Sequence, residues 1–176
     1  SKSELKNAFK IWCNLRPKGK KFAWRVTDKL AGSSPAMRWT NPPVAWMMHS
    51  GIKKMIDAGL IFPSHCKKFD FDRVVANFLD FSKSSSGGYH DRLAFEVYPG
   101  YSIRKIIRKS YKTDRKIKDN QMRISNRELV IDMLLKGLIE ENIYFSCSRQ
   151  NIEKMCKDHK GDFLDASICA IQVSSA

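Results

Sequence analysis

The sequence predicts a helix-rich α/β domain. Three observations lead there. Apolar residues recur at three- and four-residue spacing along most of the chain, the period of a helix with one buried face. Only two stretches, LIFP at 60–63 and RLAFEVYP at 92–99, read as strands. Apolar residues make up 43% of the 176, enough for a single domain with its own core over 1–176.

The first helix opens at Ser1. Ser1 and Glu4 have the spacing of a capping box, Leu5, Ala8, Phe9, Trp12 and Leu15 form its apolar stripe, and Pro17 ends it. The basic loop Lys18–Lys21 and the apolar piece FAWRV follow, and AGSSP at 31–35 reads as a turn. Asn41-Pro42-Pro43 is a helix entrance. The stripe behind it is Val44, Met47, Met48, Ile52, Met55 and Ile56, and Gly59 closes the helix. Another helix is expected over 70–81 and a loop over Lys83–Gly88.

In RLAFEVYP, alternation puts Leu93, Phe95 and Val97 on one side and Ala94, Glu96 and Tyr98 on the other. Gly100 leads into a helix carrying Ile103, Ile106 and Ile107. SYKTDRKIKDNQMRIS reads as a polar loop, and Ser125 with Glu128 as a second capping box. The helix behind that box runs to about residue 142 and buries Val130, Ile131, Met133, Leu134 and Leu138. Ser148 caps a short helix, and 162–173 form the last. There is no internal repeat. Strands are few for a complete α/β domain.

The chain carries 32 Lys and Arg against 18 Asp and Glu, a formal net charge of +14. Such a surplus favours a polyanionic partner, nucleic acid first among them. No run has the length of a membrane span, so a membrane is not an expected partner. Five cysteines without a CxxC pair argue for reduced thiols and a cytoplasmic setting. Nothing in the sequence sets an oligomeric state.

Four places can carry chemistry. Glu96 is a carboxylate beside an apolar strand face, either a surface glutamate or a metal ligand. Asp162 and Asp165, three apart, share a face of the last helix. Asp162 near the helix start suits the dipole or a cap. Asp165, among Phe163, Leu164, Ala166 and Ile168, needs a partner, which an ion pair or a metal would supply. From Arg104 to Arg127 there are ten basic residues and two acids, with Tyr101 and Tyr111 close by, a pattern that can hold phosphates and stack bases. In that run Tyr111-Lys112 and Arg115 are candidate contacts. In WRVTD, Arg25 and Asp28 either pair with each other or leave Arg25 for a phosphate. No Walker loop, GxSxG elbow or dinucleotide glycine turn occurs.

AFEVYPGYSIRKI, then SYK, then DFLDASICAIQ resemble the predicted nucleases of the domain-of-unknown-function family numbered 429. The matching positions are Glu96, Tyr98, Pro99, Gly100, Arg104, Tyr111, Lys112, Asp165, Ala166, Cys169 and Ala170. WRVTD adds Arg25, Thr27 and Asp28. The resemblance implies an RNase H-like fold in which Glu96 and Asp165 hold Mg2+ or Mn2+, helped by Asp162, for phosphodiester hydrolysis. It implies Arg104 and Lys112 as phosphate contacts. The family's first strand carries a Gly-x-Asp motif that has no counterpart before the first helix here. The chain is therefore expected to be an incomplete, C-terminal portion of the fold. The alternatives are a non-catalytic nucleic-acid-binding module and a basic protein-interaction domain.

Overall fold

The computed structural model describes residues 1–40, 44–63, 92–140 and 143–175. The Asn41–Pro43 entrance, the 70–81 helix, the Lys83–Gly88 loop, His65, Cys66 and His90 lie outside them. The described residues are helix-rich with few strands, and the chain divides into two compact units. One comprises Ser1–Lys29 and Ser34–Glu96, the other Leu30–Ser33 and Val97–Ala176.

In the first unit α1 spans Lys2–Asn14. The Ser1 hydroxyl accepts from the Glu4 backbone while the Glu4 carboxylate reaches back to the Ser1 amine, so the expected capping box forms. The helix α2, Val26–Ala31, starts at the last residue of the apolar piece and ends at the first residue of the expected turn; its residues to Lys29 belong to this unit and Leu30–Ala31 to the other. α3, Val44–Asp57, ends at Gly59, whose φ of 76° only glycine adopts without strain. Two short strands, β1 (Leu60–Ile61) and β2 (Arg92–Leu93), pair in parallel, with Leu60 opposite Arg92 and Ile61 opposite Leu93. The last bond of the pair is the Ala94 N–H donating to the Ile61 carbonyl, so the strand expected over 92–99 is cut to two residues.

Two aromatic pairs pack within the described part of this unit. Phe9 stacks on Trp46 at 5.8 Å, and Phe22 meets Trp39 edge-on at 5.0 Å. Cys13 and Ala45 are buried, whereas Leu15, Met47, Met48 and Ile56 of the expected stripes are exposed.

The second unit contains α4 (Pro99–Ile106), a 3-10 turn at Lys116–Lys118, α5 (Gln121–Leu135), α6 (Arg149–Lys157) and α7 (Asp162–Ser174). Its core joins Ile103 and Ile107 from the α4 segment, Val130, Ile131 and Leu134 from α5, Met155 from α6, and Leu164, Ile168 and Ile171 from α7. Each such side chain, fully buried, contributes roughly 1.5–3 kcal/mol. Leu138, expected inside, is 59% exposed because α5 stops at Leu135 and Gly137 turns the chain with φ 66°.

α5 also starts earlier than Ser125. Asn120 caps it by accepting from the Arg123 backbone, and Gln121-Met122-Arg123 are good helix formers. Ser125 and Glu128 therefore lie within the helix. Ser148 caps α6 as expected, accepting from the Asn151 backbone. The start of α7 is held by Asp158, whose carboxylate accepts from the Phe163 and Lys160 backbones.

One charge lies at the centre of this core. Arg127 of α5 is 0% exposed. It makes a two-pronged ion pair to Asp119 at 2.8 and 3.1 Å, and also donates to the carbonyls of Tyr111 and Cys156, each at 2.8 Å. The guanidinium holds the Asp119 carboxyl below its ordinary range. That contribution is present at neutral pH and is lost as pH falls below the ordinary aspartate value toward the lowered one. Asp119→Asn is expected to cost about 3 kcal/mol or more at neutral pH, because it leaves Arg127 buried without its counter-charge. The variant should also flatten the acid limb of the stability profile, as read by urea unfolding at neutral and acid pH.

Candidate nucleic-acid interface

The site of interest in the second unit is built from the backbone upward. Arg127 anchors the Tyr111 carbonyl from one side. From the other, the Thr113 N–H donates to the His159 carbonyl at 2.8 Å, and His159 Nδ1 lies 3.1 Å from the Thr113 carbonyl. These bonds lay residues 111–113 along the loop that leads into α7. Gly161 caps α7 in the left-handed region at φ 73°, and a β-carbon there would meet the Tyr111 ring at 3.1 Å and Lys112 Cβ at 3.2 Å. Glycine thus answers a conformational and a packing need together.

The result aims two neighbours at one carboxylate. Tyr111 Oη donates to Asp165 Oδ1, and Lys112 Nζ donates to Asp165 Oδ2, both at 2.5 Å. Of the two readings that the sequence leaves open for Asp165, the structure shows the ion pair. Burial, then the bond to Asp165, push the Tyr111 phenol well above the ordinary tyrosine value. The thiol of Cys169, one turn further along α7, is raised by burial.

Around this pair lies a cleft of about 290 Å³, bordered by Tyr98, Pro99 and Gly100 at the start of α4, by Arg104, and by residues 107–112 and Asp165. Four of its lining residues are basic, Arg104, Arg108, Lys109 and Lys112, and Asp165 is the one acid among them. Arg104 sits 5.2 Å from the Tyr98 ring centroid and also donates to the carbonyls of Ala31 and Gly32. A larger depression of about 620 Å³ is bordered by Lys105 of the basic run, Gly137, Leu138, Ile139, Glu140 and Ser175.

In the first unit Arg25 gathers two carboxylates. Nη1 and Nη2 reach Glu96 at 2.7 and 2.5 Å, and Nη2 reaches Asp28 at 2.6 Å. Asp28 is 1% exposed, while Glu96 remains exposed. Both acids raise the Arg25 pKa further, Glu96 more strongly. Thus the structure brings Arg25, Asp28 and Glu96 together in one unit, and Arg104, Tyr111, Lys112 and Asp165 in the other. Asp162 is exposed in the first turn of α7, and Arg115 is exposed just ahead of the 3-10 turn.

Magnesium and manganese take carboxylate oxygens. Asp165 and Glu96 have the right donor atoms, but all four of their oxygens accept hydrogen bonds from Lys, Tyr or Arg. Among the described residues no three His, Cys, Asp or Glu side chains gather as a metal group. A divalent ion at Asp165 therefore competes with the Lys112 ammonium, which is partly exposed on a flexible stem.

Arg127 and Asp158 are the positioning residues that sequence reading missed. Arg127 had a signal: it shares a helix face with Val130, Ile131 and Leu134, where an unpaired cation is not tolerated. No family model, curated protein or solved structure matches the chain.

Two outcomes follow from the Tyr111 contacts. In a spectrophotometric titration the Tyr111 phenol should stay protonated above the ordinary tyrosine range, and Tyr111→Phe should remove a late-ionising component. Since the folded phenol titrates above the unfolded one, stability should fall from about pH 10 upward in the native chain, and less so in Tyr111→Phe.

Proposed function

We propose that this chain is an RNase H-like nuclease domain that hydrolyses nucleic-acid phosphodiesters with Mg2+ or Mn2+. One observation carries the reading. Tyr98, Gly100, Arg104, Tyr111, Lys112 and Asp165, drawn from three separate motifs of the sequence, border a single basic cleft.

On this reading Asp165, with Asp162 assisting, and Glu96 are the carboxylates able to bind a divalent ion. When bound, that ion supplies charge neutralisation and an activated water. The chain's own residues do the rest. Tyr111 fixes the orientation of Asp165. Lys112 neutralises that carboxylate when the cleft is empty and a phosphate when it is filled. Arg25, Arg104 and Arg115 add positive charge for the nucleic-acid backbone. The same reading places the protein in the cytoplasm, where free thiols such as Cys147 and Cys156 persist. Among the described residues no helix is long and apolar enough to cross a membrane.

The test is cleavage of end-labelled DNA and RNA with Mg2+ or Mn2+. Cleavage is expected to stop with a chelator and to fall by about 100-fold or more in Asp165→Asn and in Glu96→Gln, at least the loss that follows removal of a metal-supporting group. Cleavage that persists in Asp165→Asn sinks the proposal. A second reading, binding without cleavage, is favoured by the hydrogen bonds already made to all four carboxylate oxygens. Salt-sensitive binding with intact product in Mn2+ selects it.

A further inference from the structure

The outward face of α4 is unusual. Ser102 and Ile103 are buried, and the face turned to solvent presents Tyr101, Arg104 and Lys105, with no acid. Lys105 Nζ lies 4.6 Å from the centroid of the Tyr101 ring, which is 46% exposed. Two similar pairs border the neighbouring cleft: Arg104 at 5.2 Å from Tyr98 and Lys112 at 5.4 Å from Tyr111. Each of these three tyrosines has a cation beside it, and Tyr101 is the exposed ring among them, Tyr111 being buried. A nucleic-acid strand has the complementary alternation, a flat base followed by a phosphate.

Strandedness follows from what the rings can reach. In a duplex, both faces of a base are covered by its neighbours, so a tyrosine face gains nothing unless the base is unstacked. Reading base edges in a major groove takes free donors such as an arginine fork. Arg104 does not supply one, since its guanidinium is bonded to the Ala31 and Gly32 carbonyls. The cleft, at about 290 Å³, lies at the lower limit of ordinary ligand pockets and cannot admit two paired backbones. Its surroundings are cationic, and the chain as a whole carries +14.

We infer that Tyr101 and Lys105 form a stacking and phosphate-binding step for single-stranded nucleic acid, without sequence preference, leading along α4 to the cleft at Asp165. The inference rests on the proposal that the chain acts on nucleic acid and names the form of that substrate. Tyr101 takes the face of an unpaired base on the side of its ring away from Lys105, and Lys105 takes the adjoining phosphate.

The experiment is fluorescence anisotropy with labelled oligothymidylate and oligouridylate of about 12 nucleotides, a length within the span of known single-strand sites, and a DNA duplex of the same length. A chelator is present so that nothing is cleaved, and two salt concentrations are used. Both single strands are expected to bind about tenfold tighter than the duplex. Tyr101→Ala should weaken single-strand binding about tenfold, the loss of one stacked base, and Tyr101→Phe should restore it. Lys105→Ala should lower the salt slope by about one. Circular dichroism checks that each variant is folded, as the exposure of both side chains leads one to expect. A duplex bound as tightly as the single strands overturns the inference, as does Tyr101→Ala binding like the native chain. If none of the probes binds, the nucleic-acid reading itself fails, an outcome distinct from a loss of strand preference.

Discussion

The second unit is organised around a guanidinium that has no access to water. Burying Arg127 on the helix face that carries Val130 and Leu134 incurs a desolvation cost of several kcal/mol, recovered only if the donors find good acceptors. They find Asp119 and two backbone carbonyls, and those acceptors come from different stretches of chain. The loop before α5, α5 itself and the end of α6 are thereby tied to one point. Tyr111 is among the tied residues, so the stability of the core and the aim of the site share a cause.

From that anchor the geometry of the cleft follows in short steps. The Tyr111 carbonyl is fixed, Thr113 exchanges contacts with His159, and Gly161 lets the loop pass close beneath the Tyr111 ring. Asp158 starts α7 at a defined residue, which sets where Asp165 falls one turn later. A further polar chain, Gln172 to Ser102 to Glu140, ties α7 to α4 and to the segment after α5. The cleft is therefore positioned by hydrogen bonds at the ends of its helices, while the apolar core between α5 and α7 supplies rigidity.

Helices whose ends carry local capping signals are legible in the sequence. Ser1 with Glu4 and Ser148 each mark a boundary that the structure keeps. α5 was displaced because a Ser-x-x-Glu spacing also occurs inside helices, and Asn120 is the cap that acts. The strand through Glu96 was overextended because alternation describes side chains, whereas strand length depends on a partner, and β1 offers two residues. Side-chain partnerships show the same division. Arg25 with Asp28 could be seen three residues apart, but Glu96 joins them across 71 positions and Lys112 meets Asp165 across 53. No periodicity encodes contacts of that separation; they exist only once the chain has folded.

The attachment of Arg104 to the Ala31 and Gly32 carbonyls has one more consequence. Those carbonyls are what a helix end leaves without internal partners, so the guanidinium closes that end. An anion that draws Arg104 toward itself must leave them to water, and part of its binding energy is spent there. Thermodynamic reciprocity runs the other way as well: whatever frays the Ala31–Gly32 turn frees a cation for the cleft. A single side chain would then serve as a coupling between an anion's arrival and the fraying of a helix terminus.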